Sequence, residues 1–256
     1  AAAGVRYRQG RYADGVRLCE GAVGVAERTG DAHMRATAYF LLDLGYTYLR
    51  RPEAAAFRGR ALPIYEELGD LVGQARTLNN LGAVAYFDGR WDEALDRFGA
   101  YRERSERAGD IVNAATAMNN IGEIMSDQGR VAEAVELFRD ARRIWRATGY
   151  AIGVALATCN LGRAQARMGA TADALALLEE AERVFRAIGV PEFAALAHAW
   201  RAEALLLGGR ADDALATARD VLAVGRAGVE DHAVLAQAHR TAGLAHLARG
   251  ELEQAG

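Results

Sequence analysis

At 256 residues, with 51% hydrophobic and 25% charged side chains, the chain has an ordinary globular composition, and no apolar run reaches the eighteen or so residues a membrane span needs. Its 31 basic and 34 acidic groups are interleaved and sum to −3, which excludes a dedicated phosphate-binding stripe and argues against direct contact with nucleic acid. Every basic residue is arginine, so no Walker-type or Schiff-base lysine exists; the two cysteines, Cys19 and Cys159, stand too far apart in sequence for a disulfide framework or a Cys-x-x-Cys site, which fits a reducing cytoplasm.

The strongest signal is self-similarity at a step of forty residues: Leu78-Asn79-Asn80-Leu81-Gly82, Met118-Asn119-Asn120-Ile121-Gly122 and Thr158-Cys159-Asn160-Leu161-Gly162. The same step carries Gly89, Gly129, Gly169 and Gly209, and a second set at Gly69, Gly109, Gly149 and Gly189. A fixed period of this size predicts an all-α solenoid in which each unit packs on its neighbours, so binding is expected before catalysis. In chain order the pattern predicts a lone helix from Arg11 to Arg28, then a first pair, Ala32 to Leu49 and Pro52 to Leu68, whose turn at Arg50-Arg51-Pro52 lacks the glycine. Four regular pairs follow. Helix A of each runs over 71–87, 111–127, 151–167 and 191–207, and helix B over 91–108, 131–148, 171–188 and 211–226, with glycines as left-handed caps between them. A last helix A spans 231–249. The whole reads as one array: partial repeats at 1–28 and 230–256, and pairs at 31–68, 70–108, 110–148, 150–188 and 190–228. No signal or transit sequence is visible, and both ends fall inside repeats, so a fragment or ordered part of a longer polypeptide is expected.

Within each unit the spacing resembles the tetratricopeptide repeat family over essentially the full chain: Leu78, Leu81-Gly82, Ala94 and Phe98; Met118, Ile121-Gly122, Ala134 and Phe138; Thr158, Leu161-Gly162, Ala174 and Leu178. The resemblance implies a right-handed superhelix of helix-turn-helix repeats. Units of 40 rather than the family's usual 34 residues, without its closing proline, resemble the arrays of kinesin light chains, spindle-orientation adaptors and bacterial signal-transduction ATPases. In the fourth regular unit Trp200-Arg201-Ala202 replaces Asn-Leu-Gly.

Asparagine is a poor mid-helix residue, because its amide competes for backbone partners. Yet of six asparagines in the chain, five occupy two adjacent helix-A columns: Asn79 and Asn119, and Asn80, Asn120 and Asn160. In the tetratricopeptide family helix A lines the concave groove, so the resemblance implies a polar ladder of Asn80, Asn120 and Asn160 that holds a partner's backbone. The alternative is that these amides bond the neighbouring helix and set repeat geometry. One turn on come Tyr86, Glu123 with Asp127, and Arg163 with Arg167, which either read charge on a ligand or self-pair as Glu123–Arg163 and Asp127–Arg167. Trp200, in the column of Asn160, offers an aromatic shelf or packs on the next helix; Trp91 and Trp145 read as packing residues.

His232, His239 and His246 stand seven apart, ~10.5 Å along a helix and too far for one metal ion. His198 reads as a packed histidine, Cys159 as a neighbour of the groove, and Ser105 and Ser126 lack a nucleophile context. The chain therefore reads as a non-catalytic, cytoplasmic module without cofactor or metal, part of a larger bacterial regulatory protein. Its partner is expected to be a protein or peptide segment, either separate or from the same polypeptide. A small-molecule sensor and a self-associating scaffold are the alternatives.

Overall fold

A computed structural model describes residues 2–226 and 232–251, which form helices joined by short turns with no strand among them. The chain divides into two compact units, Ala1–Ala117 and Met118–Gly256.

The first unit holds α1 (Ala2–Arg8), α2 (Tyr12–Thr29), α3 (Ala32–Tyr48), α4 (Ala54–Phe57), α5 (Ala61–Glu67), α6 (Leu71–Phe87) and α7 (Trp91–Arg107), and the start of α8 (Ile111–Asp127). The second holds the rest of α8 and then α9 (Val131–Ala147), α10 (Ala151–Arg167), α11 (Thr171–Ala187), α12 (Pro191–Leu207), α13 (Ala211–Arg226) and α14 (His232–Ala248). The four regular A helices fall on their expected residues. Between them the turn glycines take the left-handed conformation, as at Gly89 (φ 75°) and Gly129 (φ 83°), which lets the chain reverse without a Cβ clash.

One element differs from expectation. The helix expected over 52–68 is broken into α4 and α5, because Gly59 turns left-handed (φ 76°) and Pro63 is tolerated only in the opening turn of a new helix. The preceding turn, without a glycine, forces Arg50 itself to φ 52°.

N-capping differs among the A helices. Asp31 accepts from the Met34 amide at 2.8 Å, Asp70 from Gly73 at 2.9 Å and Asp110 from Asn113 at 3.0 Å, whereas α10 and α12 start at Tyr150 and Val190 without a side-chain cap.

Small residues let the helices of a pair approach. Ala94, Ala134, Ala174 and Ala214 are fully buried at the start of each helix B. A Cβ on Gly122 would come within 2.7 Å of the Phe138 ring, so only glycine admits that ring. In the second unit α10 packs on α9, α11 and α12, and α12 on α11, α13 and α14. The A helices thus pack directly on one another, with no comparable packing among α9, α11 and α13 in the described residues. That asymmetry puts the A helices on the inner side of this unit.

Candidate functional site

The A helices meet through staggered columns as well as level ones. In the first unit Asn80 of α6 donates Nδ2–H to Asp43 Oδ2 of α3 at 2.7 Å, across 37 residues of sequence. The same 37-residue offset joins Asn160 of α10 to Glu123 of α8 at 2.8 Å and Arg240 of α14 to Glu203 of α12 at 3.0 Å. It also sets the Arg163 guanidinium 5.0 Å from the centre of the Trp200 ring. The offset is one repeat less about one helical turn, because side chains lean toward the N-terminus of their own helix.

In the first unit the pair is sealed: Asp43 is buried, with Arg58 Nε 3.5 Å from its second oxygen. Burial pushes the Asp43 carboxyl up, while Arg58 and Asn80 pull it back. Asn79 and Tyr86 are half-buried on the same helix and both carry contacts of their own.

In the second unit Asn160 is only 3% exposed. Its Nδ2 donates to Asn119 Oδ1 at 3.0 Å and to Glu123 Oε1, and Asn119 Nδ2 donates to the same carboxylate oxygen at 2.9 Å. Both amide hydrogens of Asn160 are therefore committed within the unit, and only its Oδ1 remains to offer. Burial pushes the Glu123 carboxyl up, against the two amides and the nearby Arg163 charge. Asn120 is half-buried and has contacts.

Of the two expected ion pairs, Asp127–Arg167 forms, and Glu123–Arg163 is not among the ion pairs of the described residues. Asp127 Oδ1 receives both Arg163 Nη2 (3.1 Å) and Arg167 Nη2 (3.0 Å), and Arg167 Nη1 also reaches the Ser126 carbonyl at 2.7 Å and hydroxyl at 2.8 Å. Glu123 instead serves the amides. Two guanidinium groups share one carboxylate oxygen, and half-buried Trp200 lies against one of them. These arginines are 19% and 23% exposed, open enough to be reached and enclosed enough that a charge brought to them is poorly screened.

Other expectations resolve as follows. Cys159 lies in the core with Leu178 and Phe185 rather than bordering a groove, and burial pushes its thiol far up, away from the nucleophilic thiolate. Trp145 is buried. His246 Nδ1 meets Glu251 at 2.6 Å, and the His232 side chain lies outside the described residues. Among the described residues no three His, Cys, Asp or Glu side chains are arranged to hold a metal, and no helix is long and apolar enough to cross a membrane. His198 is more than a packed ring: its Nδ1 lies 2.8 Å from buried Glu182, a residue sequence reasoning passed over. Its signal was a reversal of charge in one column, Arg102, Arg142, then Glu182.

Residues 113–187 and, overlapping them, 159–231 match family models described as tetratricopeptide repeat. No curated protein sequence matches the chain. Among solved structures the fold is similar to a signal-transduction ATPase with numerous domains from Pyrococcus horikoshii that carries a tetratricopeptide repeat sensor, with TM-score 0.71 and 16% identity over 98% of this chain. The chain covers only 38% of that protein. It is similar to aspartyl phosphate phosphatase F from Bacillus subtilis (TM-score 0.79, 13% identity, 99% of this chain and 65% of that one). A Rap protein complexed with competence and sporulation factor gives TM-score 0.66 and 14% identity over 100% of this chain and 75% of that one. At these identities the likeness is one of fold. With its helical pairs closed by left-handed glycines and the two family matches, the stretch 113–231 belongs to the tetratricopeptide repeat family, and the rest of the chain shares its fold.

Proposed function

We propose that the chain is a non-catalytic protein-interaction module whose second unit takes an acidic partner segment along its A-helix face. The observation that carries this reading is the pairing of Arg163 and Arg167 with a single carboxylate, Asp127, beside Trp200. A carboxylate on the partner takes the place of Asp127 or adds to it, and the Trp200 ring supplies apolar contact in a partly desolvated setting. Asn119, Asn160 and Glu123 hold α8 against α10 and so fix the spacing of the face, while Asn120 and the Asn160 carbonyl border it. Asn79, Asn80 and Tyr86 form the corresponding face of the first unit. The partner belongs to a separate protein or to another part of a longer polypeptide. The repeat sensor of the Pyrococcus protein and the factor bound to the Rap protein support a regulatory setting by analogy of fold.

The test is peptide selection. A displayed random library is panned on the purified chain, and the recovered peptides are titrated by fluorescence polarisation against wild type, Arg163→Ala and Trp200→Ala proteins of equal helicity by circular dichroism. Acidic peptides weakened at least ~10-fold by each substitution support the reading. Recovered peptides without acidic residues, or equal affinity for all three proteins, reject it.

A further inference from the structure

The interleaving of acid and base along the chain breaks down on one stripe. Arg139, Arg142, Arg143 and Arg146 follow one another at i, i+3, i+4 and i+7, which sets them on a single face of α9. At these positions the preceding repeat has Gly99, Arg102, Glu103 and Glu106, and the following one has two glutamates and two arginines. The repeat pattern therefore does not call for four bases here. The dipole at the end of a helix favours a cation in its last turn, which accounts for Arg146 alone.

Two of the four have acids of their own. Arg139 Nη1 donates to Glu136 Oε1 at 2.6 Å and Arg143 Nη2 to Asp140 Oδ1 at 2.9 Å, both pairs being exposed and so worth little and readily exchanged. Arg142 and Arg146 make no ion pair among the described residues. The four arginines, with Ala147, line an open hollow of ≈ 480 Å³ that has no acid among its lining residues. Arg142 is half-buried there. Burial pushes its guanidinium down, the Arg146 and Arg139 charges push it further, and Glu180 of α11 offsets only part of this. Like charges crowded in a partly desolvated place attract an anion more strongly than the same charges spread over an open surface.

We propose that this hollow binds a phosphate group. Two neighbouring guanidinium groups without acids offer two planar forks, and a phosphate has the three oxygens and about two negative charges that take both, whereas a carboxylate fills one. From Arg139 to Arg146 the stripe runs ~10.5 Å, room for one such group and too short to track a nucleic-acid backbone. The hollow lies on a B helix and shares no side chain with the Asp127–Arg163–Trp200 face, so it stands or falls apart from that face.

The experiment titrates inorganic phosphate, N-acetyl-O-phosphoserine methylamide and N-acetyl-glutamate methylamide into the purified chain at low salt and neutral pH. The arginine Cδ–Hδ signals are followed by NMR, with Arg142 and Arg146 assigned by their absence from Arg142→Gln and Arg146→Gln. The expected result is saturable movement of both signals by the two phosphates, half-complete at roughly 1 mM, with the glutamate derivative bound at least ~10-fold more weakly. Arg142→Gln is expected to weaken phosphate at least ~10-fold; Arg146→Gln is expected to do the same and serves if the first variant is misfolded. The two phosphates separate sources: tighter binding of the phosphoserine derivative assigns a phosphorylated side chain of a partner, and equal or weaker binding assigns a free phosphate. No saturable shift at Arg142 and Arg146, equal affinity for the glutamate derivative, or undiminished binding to both folded variants overturns the proposal. Loss of phosphate binding in Arg163→Ala rather than in Arg142→Gln overturns it too, by moving the anion to the A-helix face.

Discussion

The two units bury carboxylates in the same staggered columns but neutralise them differently. In the first, Asp43 faces Asn80 across the α3–α6 seam and has Arg58, from the stretch between α4 and α5, at its other oxygen. In the second, Glu123 at the corresponding place has no ion pair among the described residues and is held by the amides of Asn119 and Asn160. One repeat further, Glu182 is clasped by a histidine and two arginines. A buried carboxylate held by amides stays costly to ionise, whereas one held by cations is stabilised in its charged form. The contrast has a sign as well as a size.

Glu182→Gln should have the largest effect. It keeps an acceptor for His198 but removes the charge that Arg201 and Arg186 face, and a loss of about 2 kcal/mol is expected at pH 7, reduced from the usual cost of breaking a buried pair because Arg186 is mostly exposed. Because the folded Glu182 is shifted down, its contribution is present above the unfolded carboxylate pKa of about 4.3 and is lost as pH falls through the folded value. Urea unfolding followed by circular dichroism should therefore show the variant's deficit shrinking toward pH 3; a deficit that is constant with pH would mean that the cluster works by packing alone.

Glu123→Gln should run the other way. The folded Glu123 is shifted up, so its contribution is present below about pH 4.3 and lost as pH rises through the folded value. The variant should gain on wild type between pH 4 and pH 7, and a loss that grows over that range would show Arg163 to be a real counter-ion. Between the amides, Asn160→Ala should cost about 2 kcal/mol, since it leaves Glu123 with Asn119 alone. Asn80→Ala should cost nearer 1 kcal/mol, since Asp43 keeps Arg58. Equal losses would erase the distinction between the units.

Particular residues show how far this was readable in advance. The A helices of the regular repeats were legible to the residue because glycine marks each reversal, and the break between α4 and α5 was missed where the period itself slips, although Gly59 was there to signal it. The asparagine columns were visible, but their partners were not. A forty-residue period invites pairing of equivalent positions, which holds for Asp127 with Arg167, but tilted side chains also pair positions 36 or 37 apart, so Arg163 goes to Asp127 rather than Glu123, and Asn160 reaches Glu123. Glu182 escaped notice because a lone acid on an arginine-rich helix reads as solvent-facing until its burial is seen.

The smallest expected effect tests the irregular repeat that supplies Arg58. Arg50 sits at φ 52° in a turn where the other repeats have glycine, a conformation that costs an L-residue about 1–2 kcal/mol. Arg50→Gly removes that strain but gives the unfolded chain more freedom, worth roughly 0.5–1 kcal/mol against the fold. The balance is a gain of about 0.5 kcal/mol in urea unfolding, with the Asp43–Arg58 pair left in place. A loss instead would mean that Arg50 makes contacts worth more than its strain, and that the missing glycine is itself part of how the first unit holds the segment carrying Arg58 over Asp43.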